Sequence, residues 1–270
     1  MKSPVFLILL SLVFVLPLKI QAQSAQAVMG ARAIGLSQAV TALPDYEWNV
    51  FFNPAMMSQE GRHASFFAMR YYDISELTDY GLAATYATDY GTAGVGLHTY
   101  GFDLYRESRY RLAYMNEFYN IRVGLAANMT HLSIHDFGSD VGFALDIGVA
   151  YNIFDNLILG AKFSNINRGT IGEVEEELPR DMAIGISYTL SDRALFVSDV
   201  YKDIDFDFSY RGGVEIHIIE ILRARAGITT NPQTLSLGFG YVSSLIRADI
   251  AVQRHDVLGW SPGLDFAVTW

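Results

Sequence analysis

The middle of the chain alternates bulky apolar residues with small or polar ones. In VGFALDIGVAY, Val141, Phe143, Leu145, Ile147, Val149 and Tyr151 fall on one face, against Gly142, Ala144, Asp146, Gly148 and Ala150. IRVGLAANMTHL repeats the pattern, with Ile121, Val123, Leu125, Ala127 and Met129 opposite Arg122, Gly124, Ala126, Asn128 and Thr130. MAIGISYT sets Met182, Ile184, Ile186 and Tyr188 against Ala183, Gly185, Ser187 and Thr189. A period of two belongs to a β-strand, whose successive side chains leave opposite faces. From Ala64 onwards the pattern predicts fourteen strands, over 64–73, 79–88, 91–101, 107–117, 120–132, 140–151, 156–165, 180–190, 193–202, 206–218, 221–230, 233–242, 244–253 and 260–270. Twelve is the alternative count, and no long stretch carries a convincing helical period.

The two faces do not suit a soluble sandwich. Such a sheet turns a charged face to water and bulky side chains inward. Here the non-apolar face is often Gly, Ala or Ser and carries few charges. A closed barrel in lipid reverses the roles: the apolar side chains point out and the small or polar ones point into the lumen. Closure follows from physics, because an unpaired sheet edge is not tolerated in hydrocarbon. The connections agree. Alternate ones are short, around 88–91, 118–120, 152–156, 190–193, 219–220 and 242–244, whereas the others include longer pieces at 133–139, 166–179 and 254–259. That parity predicts periplasmic short turns, outer long loops and an even strand count.

The stretch ALPDYEWNVFFNPAMM, residues 42–57, breaks the alternation and offers no helical stripe either. Before it, MKSPVFLILLSLVFVLPLKIQAQSAQA reads as a signal peptide over residues 1–27, with cleavage expected after Ala22 or Ala27. Its apolar core is too short for a permanent membrane helix. The remainder suits one domain. The chain has no cysteine, which excludes disulfides and a lipid anchor on Cys. Its 29 acidic and 19 basic residues fit nucleic acid poorly. The last strand, ending DFAVTW, places Leu264, Phe266, Val268 and Trp270 on the apolar face. That ending looks like the signal read by the barrel-assembly machinery. The expected location is the bacterial outer membrane, with its lipid and that machinery as partners.

ARAIGLSQAVTALPDYEWNVFFNPAMMS resembles the start of barrels in the FadL-like superfamily, particularly its PorV/PorQ and UPF0164-type outer-membrane proteins. The resemblance is carried by Gly30, Ala31, Arg32, Gly35, Ala39, Asp45, Phe52, Asn53, Pro54 and Ala55, followed by the strand pattern. Ser37-Gln38 and Met56-Met57 depart from glycines frequent in the family. The resemblance implies an N-terminal plug or periplasmic segment over residues 28–62 and a barrel over 63–270. Asp45, Trp48, Phe51, Phe52, Asn53 and Pro54 are its expected plug residues. It also implies passage of hydrophobic or amphipathic small molecules. The alternatives are a shuttle or interaction component of type IX secretion, partnered by a translocon, and a structural membrane protein without transport.

Charged residues on the inward face are candidates for pairing, plug docking or a solute route. In the tenth predicted strand these are Asp207, Arg211, Glu215 and His217, and in the eleventh Arg223 and Arg225. The short turn between them predicts that Glu215 and His217 meet Arg223 and Arg225. Arg109, Arg111, Arg122, Asp146, Lys162, Arg247, Asp249 and Asp265 extend the polar lining. Both charge signs occur, so mutual pairing is expected. Gly91, Gly94 and Gly96 mark a possible wall bend where a lateral exit could lie. The acidic stretch EVEEELPRD reads as a solvated outer loop. The histidines show no metal spacing, and GxSxG, CxxC and phosphate-loop sequences are missing, so neither an enzyme nor a cofactor is expected.

Overall fold

The computed structural model describes residues 28–270, so the signal peptide expected over 1–27 lies outside the described residues. The strands are β1 (Arg62–Arg70), β2 (Thr78–Thr88), β3 (Gly91–Phe102), β4 (Tyr105–Phe118), β5 (Ile121–Ile134), β6 (Gly138–Phe154), β7 (Leu157–Phe163), β8 (Thr170–Ile171), β9 (Glu176–Glu177), β10 (Asp181–Ser191), β11 (Ala194–Asp203), β12 (Ser209–Ile219), β13 (Leu222–Thr229), β14 (Thr234–Val242), β15 (Ile246–His255) and β16 (Gly259–Thr269). All but β8 and β9 form one closed antiparallel barrel of fourteen strands, in which β1 pairs with both β2 and β16. The even count predicted from alternation and loop parity therefore holds, and twelve does not. β8 and β9 make a small hairpin within the connection 164–180.

Turns at one end, 89–90, 119–120, 155–156, 192–193 and 220–221, have two residues each. The longer connections, 71–77, 164–180 and 204–208, lie at the opposite end, called the outer end below.

Closure pairs every wall strand on both sides, and the exterior side chains then face outward without a covering layer. Leu112, Phe143, Ile228, Phe239 and Ile250 are each more than half exposed. An apolar surface running round the whole barrel needs lipid. Aromatic side chains rim it: Tyr90, Phe118, Tyr119, Phe154 and Trp270 at the short-turn end, Phe102, Phe137 and Trp260 at the outer end. This distribution matches the two interfaces of a membrane. No described helix is long and apolar enough to cross one.

β7 is much shorter than β6, and its pairing with β6 ends at Ile147↔Phe163. The outer half of β6 is instead lined by the connection 164–180. The Ile166 N–H donates to the Leu145 carbonyl at 2.8 Å. The Asn167 side chain accepts from the Leu145 N–H at 2.7 Å and donates to the Phe143 carbonyl at 3.2 Å. A side-chain amide thus substitutes for a strand neighbour, answering the demand that buried backbone groups be paired.

Candidate functional site

Residues 28–57 are nearly all buried, although they precede the first strand. They contain a short helix, α1 (Ala31–Gly35), and single 3-10 turns at Glu47–Val50 and Pro54–Met56. Asn53 starts the last turn: its side chain accepts from the Ala55 N–H at 3.1 Å, and Pro54 supplies a preset backbone angle. Inward-facing wall residues surround the segment. Phe51 lies against Gly96 of β3, Pro54 against Gly124 of β5, Asn53 against Gly148 of β6 and Thr41 against Gly160 of β7. Leu36 lies against Gly213 and Gly227 of β12 and β13, and Ile34 against Gly263 of β16. Neighbours on all these strands place the segment inside the ring. A Cβ at Gly124 or Gly148 would collide with it, so the small inward residues have a steric cause.

Polar anchors fix the segment among these apolar contacts. Arg32 grips Glu215 with two nitrogens, at 2.9 and 3.0 Å. Glu215 also accepts from Arg225, which in turn pairs with Asp249. A line of alternating charge therefore runs from α1 across β12, β13 and β15. Arg247 pairs with Glu47 at 2.8 Å and donates to the Asp45 carbonyl at 3.1 Å. The Trp48 indole N–H donates to Asp265 at 2.9 Å. Asp199 accepts from both backbone N–H groups at Val40 and Thr41 and from the Thr41 hydroxyl. Asn49 donates to the Leu43 and Met56 carbonyls, fastening the segment to itself. Trp48, Tyr46 and Phe52 fill the apolar interior, with Phe67 of β1 edge-on to Trp48.

The remaining lining residues pair along the wall. Arg111 pairs with Asp146 and Asn128, Arg109 with Glu107, and Lys162 with Asp181. Arg122 donates to the Asn152 side chain at 2.7 Å. Paired in this way, the charges avoid the large penalty of isolation in a partly dry interior.

Above the segment, toward the outer end, the wall and its connections line a partly open cavity of about 660 Å³. Val28 and Gln38 contribute to its lining from the segment, and Tyr71, Tyr72, Tyr100, Tyr201 and Phe206 supply aromatic walls. Tyr71 meets Tyr100 edge-to-face, and Tyr72 meets His255 in the same way. Tyr71 donates to Asp79 at 2.7 Å, and Asp79 also pairs with buried His98. Burial, reinforced by the Asp79 charge, pushes the Tyr71 hydroxyl well above its ordinary pKa, so it remains a donor. Arg211 lies 3.9 Å over the Tyr201 ring and reaches the Gln38 carbonyl.

Several sequence expectations need correction. Asp207 is exposed in the connection before β12, not inside a strand, because the ladder begins only at Ser209. Arg225 meets Glu215 as expected, but Arg223 does not: it donates to the Ile219 and Glu220 carbonyls of the turn. His217 approaches Glu215 only to 3.6 Å. Asp45 is exposed and engages Arg32 and Arg247 through its carbonyl oxygen. Gly91, Gly94 and Gly96 mark no break in the wall's pairing. β2 and β3 pair without interruption from Asp79↔Tyr100 to Thr88↔Gly91, and Gly94 and Gly96 instead admit Met57, Val50 and Phe51. Arg32, Glu47, Asp79, His98 and Asp199 were missed as functional candidates. For Asp79 and Asp199, inward parity within their strands was an available signal; for Glu47, nothing local pointed to Arg247.

No family model and no curated protein matches the chain. Solved structures do. The toluene transporter TodX of Pseudomonas putida aligns with a TM-score of 0.67 at 12% identity, over 89% of this chain and 96% of that one. The toluene transporter TbuX of Ralstonia pickettii gives 0.65 at 11%, over 91% and 98%. A FadL homologue of Pseudomonas aeruginosa gives 0.58 at 11%, also over 91% and 98%. Together with the apolar belt, this fold is that of a bacterial outer-membrane barrel. At such identities the likeness establishes architecture, and the PorV/PorQ subgroup has no counterpart among these three structures.

Proposed function

We propose that the protein is an outer-membrane barrel for passage of small hydrophobic or amphipathic molecules, with residues 28–57 acting as its plug. The observation that carries this reading is the aromatic cavity held directly above that segment. Its volume of about 660 Å³ falls in the range of small-molecule sites. A molecule entering from the outer end would settle against Tyr71, Tyr72 and Tyr100. Further movement would require the segment to shift and its attachments to the wall to open. The chemistry is non-covalent, so the protein acts as a conduit rather than an enzyme. Likeness of fold to toluene transporters and a FadL homologue supports the assignment.

The type IX secretion reading predicts a macromolecular partner, whereas the cavity is of small-molecule size. Toluene uptake should be measured in vesicles carrying lipopolysaccharide in the outer leaflet. The proposal expects faster entry with folded protein than in empty vesicles. Equal entry across a panel of hydrophobic compounds, with a translocon co-purifying from membranes, would favour the secretion role instead. Trp270 is also proposed as part of the sequence by which the barrel-assembly machinery recognises the chain.

A further inference from the structure

A notch of about 310 Å³ opens on the lipid-facing side of the wall near its outer end. It arises where the rim steps down beside β6. Phe163, Met182 and Lys202 stand at one level across β7, β10 and β11, near the outer ends of those strands, while β6 runs on from Ile147 to Gly138. Phe163, Ile166, Met182 and Ile204 line the notch with side chains close to half exposed. Around this apolar floor stand three basic residues, Arg168, Arg180 and Lys202. The chain as a whole carries net charge −10, so the local excess runs against its composition. The one carboxylate in the lining, Asp181, is matched by Lys162 at 2.6 Å. Arg180 shares a solvent-accessible pair with Glu177 at 3.0 Å, a surface contact of small worth. Lys202 lies 5.6 Å over the Phe208 ring and donates to the Phe206 carbonyl, and neither contact neutralises it. Arg168 is exposed and has no ion pair among the described residues. Nearby acids turn elsewhere. Asp203 lines the chamber, and Asp205 is exposed in the connection 204–208. The hairpin β8–β9 packs through Ile171 and Leu178 on Ala144 and Leu132, inward residues of β6 and β5. Its acidic stretch therefore rises from the lumen side of the wall, and Glu177 is its one member that pairs with a notch cation among the described residues.

We infer that the notch binds a phosphorylated lipid of the outer leaflet, its phosphate held by Arg168, Arg180 and Lys202 and an acyl chain laid along Phe163, Met182 and Ile204. The inference is independent of the passage reading. Arginine and lysine both bind phosphate, arginine through a fork of donors. The three cations stand where the apolar exterior gives way to the outer connections, the depth at which a headgroup phosphate lies. Their attraction for it is stronger beside hydrocarbon than in bulk water. The apolar floor separates a lipid from a free phosphate ion, because a chain lying on it buries surface that an ion lacks. Lipid A, with phosphates on a sugar body and several acyl chains, has this chemistry in a leaflet rich in lipopolysaccharide.

Native mass spectrometry of the full-length barrel in nonionic detergent counts the lipids it retains. The probes are diphosphoryl lipid A and its dephosphorylated form, which carry the same chains. The phosphorylated lipid should be retained roughly tenfold more tightly than the other. In Arg168→Gln/Lys202→Gln that preference should fall to about twofold. Glu177→Gln releases Arg180 from its pair and should strengthen retention of the phosphorylated lipid by about twofold. Arg254 is an exposed cation of the same outer end that lies outside the notch, so Arg254→Gln should leave the preference unchanged. Heat-modified gel mobility verifies that each variant remains a folded barrel. Equal retention of the two lipids by the unaltered protein would overturn the inference, as would a preference undiminished in the double variant. An equal loss in Arg254→Gln would also overturn it, by showing a diffuse attraction rather than a site. Millimolar inorganic phosphate should leave the lipid in place. Its displacement by phosphate alone would show that the notch holds the free ion, against the lipid assignment.

Discussion

Glu215 shows how one side chain can hold distant parts of the molecule together. It accepts from Arg32 of the N-terminal segment and from Arg225 of the wall, while Arg225 continues to Asp249. Removing its charge leaves the buried Arg32 guanidinium without a counterion and Arg225 with Asp249 alone, at a cost of about 3–5 kcal/mol. Glu215→Gln should therefore lower the temperature of the heat-modified gel shift and raise baseline ion conductance in planar bilayers. Unchanged values for both would show that this cluster does not hold the segment. Trp48 reports the same packing optically. It is fully buried, whereas Trp260 and Trp270 are exposed on the barrel exterior. In a Trp260→Phe/Trp270→Phe chain, the remaining emission should be blue-shifted and resistant to acrylamide. Strong quenching would contradict burial of Trp48. In the unaltered protein, brominated lipid should quench Trp260 and Trp270.

At the scale of elements, inward glycines and the N-terminal segment are complementary shapes. Gly96 of β3 admits the Phe51 ring, so Gly96→Val should displace that ring and destabilise the barrel by about 1–3 kcal/mol, as overpacking does. Denaturant refolding into lipid would measure the change. The connection 164–180 makes a different test, because Asn167 lines the part of β6 that β7 leaves unpaired. Asn167→Ala should accelerate hydrogen exchange at Leu145 while leaving the paired Val149 protected. Both features also show where sequence reasoning succeeds and stops. Period-two alternation exposed β5, β6 and β10 because one face meets lipid and the other the lumen. The same alternation continues through Phe206, Phe208 and Tyr210, which carried the expected strand past its true start and misplaced Asp207. Glycines at 94 and 96 could indicate either a bend or a close approach. Only the position of Phe51 and Met57 decides between them. Contacts such as Thr41 with Asp199 join residues far apart in sequence, and no local pattern encodes them.

For the molecule as a whole, closure, an apolar exterior and an aromatic chamber above a deeply packed segment make a coherent device. The wall turns its apolar face outward, the segment packs against the inward face, and on the proposed reading the chamber receives a small molecule. On the proposed reading, passage requires the segment to move. The chain contains no cysteine, which allows this movement to be controlled without a background thiol. Gly94 of β3 lies against the Val50 side chain, so Val50→Cys/Gly94→Cys places one thiol on the segment and one on the wall. Toluene entry into lipopolysaccharide-faced vesicles should be followed with this barrel oxidised and then reduced. Oxidation should stop protein-dependent entry and reduction should restore it. Equal entry in the two states, with the disulfide confirmed by mass spectrometry, would contradict that reading.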